Sequence, residues 1–190
     1  MQYDNQAYSY VAKHEQTIKS TASALGVSET AIAGAMAEEF DSYVKSPAIN
    51  HSTDGYALEQ LTSHDQIAND AHRVNSSGEA DAMDSGFRSK SLKFGDPVLM
   101  DIGASNVKIS SAVRLLENYV DRYIANGEDP LDLSGYQNDY VRLINDLVDH
   151  ESVLSTKVTG LMIEEANDYF DLRADGKRDR FIFRKLYSGE

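Results

Sequence analysis

The sequence predicts a mainly α-helical single domain spanning residues 1–190, interrupted by one long irregular segment. Three observations predict it. Apolar residues recur at helical spacing along most of the chain, glycines and prolines that stop helices stand between those stretches, and the periodicity fails from Ala48 to about Asp96. At 41% hydrophobic and 26% charged, the 190 residues have the composition of a chain that builds one sizeable core.

The first helix is expected between Asn5 and Leu25, where Tyr8, Val11, Ile18, Ala22 and Leu25 recur at helical spacing and Gly26 supplies the stop. Ser28 then caps a second helix from Glu29 to about Val44, with Glu29 in the first turn where the helix dipole favours negative charge. Ala31, Ala33, Ala35 and Ala37 put small side chains on several faces of that helix, which lets neighbours approach closely and predicts a central position. Pro47 ends it. From Ala48 to Asp96 the chain is dense in Ser, Asn, Asp, His and Gly, with short helices expected only around 56–61 and 64–71. That stretch reads as a partly ordered flap over a cleft or as a surface insertion. Order returns at Pro97 with the apolar stretch Val98-Leu99-Met100-Asp101-Ile102-Gly103. A helix beginning near Ser110 turns Ala112, Val113, Leu115, Leu116, Tyr119, Val120 and Tyr123 towards the core, and Gly127 and Pro130 break it. Further helices are expected over 135–148, 152–172 and 178–187.

Composition narrows the function classes. The net charge of -13 opposes nucleic-acid binding, which needs a basic footprint to displace counterions, and opposes an anionic membrane surface. The one basic run, Lys177-Arg178-Asp179-Arg180 with Arg184-Lys185, is broken by acid and reads as a solvated helix face. No apolar run has the length to span a bilayer, so membrane insertion is not expected. Without cysteine there are no disulfides, thiolate zinc sites or cysteine nucleophiles.

The richest local pattern is Gly26-Val27-Ser28-Glu29-Thr30-Ala31-Ile32-Ala33-Gly34-Ala35-Met36-Ala37-Glu38-Glu39-Phe40. A carboxyl late in a buried, small-residue helix is desolvated and lies toward the negative end of the helix dipole; both effects raise its pKa. A general acid for glycosidic cleavage needs that property. Glu38 and Glu39 point about 100° apart around the helix, so only one can face inward. Glu39 follows Ile32 and Ala35 on the inward face. On the residues alone, the pair also reads as two solvated glutamates.

This segment resembles the first motif of the lysozyme-like muramidases and lytic transglycosylases, in which a capped apolar helix leads to the catalytic glutamate. Aligned on Val27 and Ser28, that glutamate falls on Glu39, and Phe40 stands where the family carries serine. A second segment, Asp101-Ile102-Gly103-Ala104-Ser105-Asn106-Val107-Lys108-Ile109-Ser110-Ser111-Ala112, is similar to the glycine-rich stretch that opens a cleft-lining helix in the same family. The family usually has glutamine at the place of Lys108 and threonine-alanine at Ser111-Ala112.

The resemblance implies a lysozyme-like helical domain that cleaves peptidoglycan glycan strands at the bond between N-acetylmuramate and N-acetylglucosamine. It implies Glu39 as general acid, Asp101 or Asp54 as candidates for a second carboxylate, and Ser105 and Asn106 as sugar-binding residues, with no metal and no cofactor. Asn106 also reads as a turn asparagine. The setting implied is an antibacterial effector with a cognate immunity protein, or a phage lysin. Such a protein would be made in the cytoplasm without a signal peptide and delivered to the periplasm or cell wall by another route. The alternative is a non-catalytic acidic helical interaction module, an immunity or adaptor protein that binds a basic partner.

Other patterns do not reach a site. Gly103-Ala104-Ser105-Asn106-Val107 lacks the final glycine of a nucleophile elbow. Asp171–Gly176 begins like a calcium loop, but Arg173 occupies a ligand position. His51, His64 and His72 lack metal-ligand spacing and read as surface histidines, and the 11 tyrosines read mainly as packing.

Overall fold

The computed structural model of the protein describes residues 3–77 and 96–170. Among these the chain is mainly α, with eight α-helices and one two-stranded hairpin. The expected helix over 178–187, the basic run and the Asp171–Gly176 turn lie outside the described residues.

Helix α1 (Asn5–Lys13) starts where the Asp4 carboxylate accepts the Gln6 N–H at 2.8 Å. Helix α2 (Glu15–Leu25) follows after a turn at His14, whose buried ring packs on Tyr10. The single helix expected over 5–25 is therefore two. Gly26 closes α2 in the left-handed region at φ 64°, a conformation a β-carbon disfavours. The Ser28 hydroxyl accepts the Ala31 N–H at 3.2 Å and opens α3 (Glu29–Lys45). As its small residues predict, α3 is central: α1, α2 and α8 (Leu154–Phe170) all pack on it. Gly160 of α8 allows close approach to Thr21 and Leu25 of α2 and Ile32 of α3.

The segment expected to be irregular is helical over most of its described part. Pro47 does not merely end α3; it occupies the first turn of α4 (Pro47–Gln60), where a missing N–H costs nothing. Helix α5 (His64–Ser77) comes next. The physical reason for the difference is visible in what α4 buries, which is Ala57 and Asp54 and no large apolar side chain. Its helical period is carried by contacts with the rest of the fold, so the apolar pattern has little to show. Helix α5 buries only Ile67, Ala71 and Val74. The remainder of the expected flap, 78–95, lies outside the described residues.

A 3-10 turn (Pro97–Leu99) leads into strand β1 (Asp101–Ile102), paired antiparallel with β2 (Val107–Lys108) in the register Asp101↔Lys108 and Ile102↔Val107. Helix α6 (Ile109–Arg122) follows β2 directly and packs on α5. Helix α7 (Tyr140–Val148) begins later than expected because Asp139 caps it, accepting the Arg142 N–H at 3.0 Å. One continuous apolar core joins all of these, from Ile18, Ile32 and Met36 through Ile102 and Val107 to Leu116, Leu143 and Leu161. No helix among the described residues is long and apolar enough to cross a membrane.

Candidate functional site

Glu39 lies on the inward face of α3, 7% exposed, while Glu38 is half-buried. The helical period explains the difference, since Ile32, Ala35 and Met36 line that same face and are all buried. Glu164 on α8 is also buried, and the fold treats it as a structural charge: Arg122 lies 2.9 Å away and the Tyr123 hydroxyl donates to it at 2.8 Å. The adjacent Glu165 is half-buried and pairs with Arg114.

One helical turn beyond Glu39, about 6 Å along the axis, α3 carries Tyr43. Its buried hydroxyl donates to Asp54 Oδ2 at 2.6 Å, and the other oxygen, Oδ1, accepts the Gly103 backbone N–H at 2.9 Å. Asp54 is 4% exposed. A carboxylate of α4 thus joins α3, at a residue just beyond the Gly26–Phe40 segment, to the turn of the β1–β2 hairpin. Burial and the hydrogen bond to Asp54 together push the Tyr43 hydroxyl well above the usual phenol range.

Two imidazoles complete the cluster. His51 Nδ1 lies 3.3 Å from the Tyr43 hydroxyl, and the His150 ring stands edge-on to Tyr43 with centroids 4.7 Å apart. Burial holds His150 below the ordinary histidine range, and the nearby Asp54 charge offsets only part of that effect. Phe40, the departure from the serine of the family motif, stacks on Tyr10 at 4.1 Å and meets His150 edge-on. It packs α1 onto α3 beside the cluster.

The hairpin turn places the other candidates. Asp101 is half-buried on β1 opposite Lys108. Gly103 adopts φ 65° and lies against the Leu147 carbonyl at the end of α7, too close for a β-carbon. Ser105 is 3% exposed, and its hydroxyl has no hydrogen-bond partner among the described residues. Asn106 is half-buried with φ 47°, and its N–H donates to the Gly103 carbonyl at 3.1 Å, which closes the turn.

Sequence reasoning missed Tyr43 and His150, and it read His51 only as a surface residue. A tyrosine seven residues after the inward Met36 is a packing signal, and nothing local marks it as an Asp partner. His64 and His72, grouped with His51 in the sequence, belong to separate contacts. His64 Nδ1 accepts the Tyr140 N–H at 3.3 Å, and His72 Nε2 lies 2.6 Å from Glu117. Among the described residues no three His, Asp or Glu side chains converge as a metal site.

No known family model matches the chain, and no curated protein and no solved structure matches it either.

Proposed function

We propose that the protein cleaves the glycan strands of peptidoglycan, with Glu39 as the general acid, and that its helical fold is lysozyme-like. The observation that carries this reading is the juxtaposition of two segments far apart in sequence. A buried glutamate late in a capped, small-residue helix sits one turn from Tyr43, and Tyr43 is bonded through Asp54 to a glycine turn that opens a second helix. Glu39 would donate its proton to the glycosidic oxygen as the C1–O bond breaks. Attack at C1 by water, with Asp101 as base, gives hydrolysis; attack by the sugar's own hydroxyl gives an intramolecular anhydro product.

The test is muropeptide release from purified peptidoglycan. Glu39→Gln keeps the shape and removes the transferable proton, so release should fall by about 10²–10⁴-fold while helical circular dichroism stays unchanged. Release by this variant at the wild-type rate refutes the assignment. A second reading, an acidic interaction module, is favoured by the net charge of -13. It predicts no release by the wild type and salt-sensitive capture of a basic protein such as a toxin partner.

A further inference from the structure

We infer that Asp54 is a positioning residue that clasps the hairpin turn to the acid-bearing helix, and that it is not the second carboxylate of the reaction. The inference rests on the reading of Glu39 as general acid. A carboxylate that activates water or attacks a sugar carbon must turn an oxygen towards substrate. Both Asp54 oxygens are directed inward, Oδ2 to the Tyr43 hydroxyl at 2.6 Å and Oδ1 to the Gly103 N–H at 2.9 Å, and at 4% exposure the residue presents almost no surface to a substrate. Hydrogen bonds to a charged acceptor are short and directional, so they fix the distance between their donors. The donors here belong to separate elements: Tyr43 on α3 and Gly103 in the turn between β1 and β2.

What the clasp sets is the placement of the hairpin relative to Glu39. The turn cannot move away from Asp54 without disturbing the α7 end, because Gly103 already lies against the Leu147 carbonyl. Helix α3 cannot rotate without moving Glu39 and Tyr43 together, since they are one turn apart on one face. Asp54 therefore fixes the helix that carries Glu39 relative to the hairpin turn, and a displacement of about 1 Å of a catalytic group is worth about 10²-fold in rate. The chemistry after protonation then falls to Asp101 or to the substrate's own hydroxyl.

Three variants separate positioning from chemistry. In Asp54→Asn the amide can accept the Gly103 N–H through its oxygen and donate to the Tyr43 hydroxyl through its nitrogen, so the clasp survives without charge. It should recover most of the wild-type kcat for muropeptide release, to within about tenfold. Asp54→Ala leaves the Gly103 N–H unpaired and the Tyr43 hydroxyl with only His51 beside it, and should lose about 10²-fold in kcat with a much smaller change in KM. Tyr43→Phe keeps the ring against His150 and removes one bond; it should lose about tenfold, and it carries the test if Asp54→Ala does not fold. Hydrogen exchange at the Gly103 amide provides a readout without turnover: slow in wild type and Asp54→Asn, and about 10–100-fold faster in Asp54→Ala. Asp54→Asn as inactive as Asp54→Ala would make the carboxylate part of the chemistry and overturn the inference. Wild-type kcat in Asp54→Ala, or fast exchange at Gly103 in the wild type, would overturn it as well. Absence of release by wild type would sink the enzymatic reading and the positioning role with it, while the amide exchange would still report whether the clasp exists.

Discussion

Replacing Gly103 with alanine measures how firmly the hairpin turn is seated. The residue has φ 65°, where an L side chain costs about 1–2 kcal/mol. A β-carbon there would stand 2.8 Å from the Leu147 carbonyl carbon, closer still to its oxygen, and 3.4 Å from Val148 Cα. These are backbone atoms at the end of α7, so no rotamer change relieves the overlap; either the turn or the helix end must shift. Overpacking of this kind costs about 1–3 kcal/mol, giving a total of about 2–5 kcal/mol. For a chain of this length that lowers Tm by roughly 5–15 °C. Gly127 is the internal control, because it has φ 81° but nothing within 4 Å of its added β-carbon. Gly127→Ala should show only the conformational cost, about 1–2 kcal/mol. Thermal and urea unfolding of both variants decide the matter. Equal losses in the two would mean that the contact with α7 carries no weight and that the hairpin is not held as described.

The remaining predictions concern packing and pH. Gly160→Ala improves helix propensity by about 1 kcal/mol, yet its methyl would collide with Thr21 Cγ2 and stand 3.2 Å from Leu25 Cδ1. A net loss of roughly 1–2 kcal/mol in urea unfolding is expected, and a gain in stability would show that α2 and α8 are less closely packed. Burial holds both His14 and His150 below the ordinary value of 6.5, opposed in part by a backbone hydrogen bond with His150 at His14 and by the Asp54 charge at His150. The unfolded chain therefore binds protons first as pH falls through 6.5, and the stabilisation these neutral rings permit at higher pH is lost as pH drops towards their native values. The Tm advantage of wild type over a His14→Gln/His150→Gln double variant should shrink between pH 7.5 and 5.5; an advantage that stays constant would contradict the assignment.

Local chemistry was readable in particular places. Ser28 announced the start of α3, Gly26 the end of α2, and the spacing of Ile32, Ala35 and Glu39 announced which of two adjacent glutamates turns inward. Only the last part of helix α4 was readable, as a short helix around 56–61, because a helix that buries one alanine and one aspartate leaves no apolar stripe. The hydroxyl of Tyr43 was likewise hidden, since its aromatic ring at helical spacing predicts packing whether or not a carboxylate waits beside it.

The amino-acid order alone decided the helical class, most helix ends and the inward face of α3, because caps and i, i+4 neighbours lie within a few residues of one another. Only the tertiary structure decided that Asp54 would bridge Tyr43 to Gly103, which lies 49 residues beyond Asp54 in the chain, and that Gly103 would lie against α7. Contacts across such separations arise when elements pack, and they impose no period on the sequence from which they could be inferred.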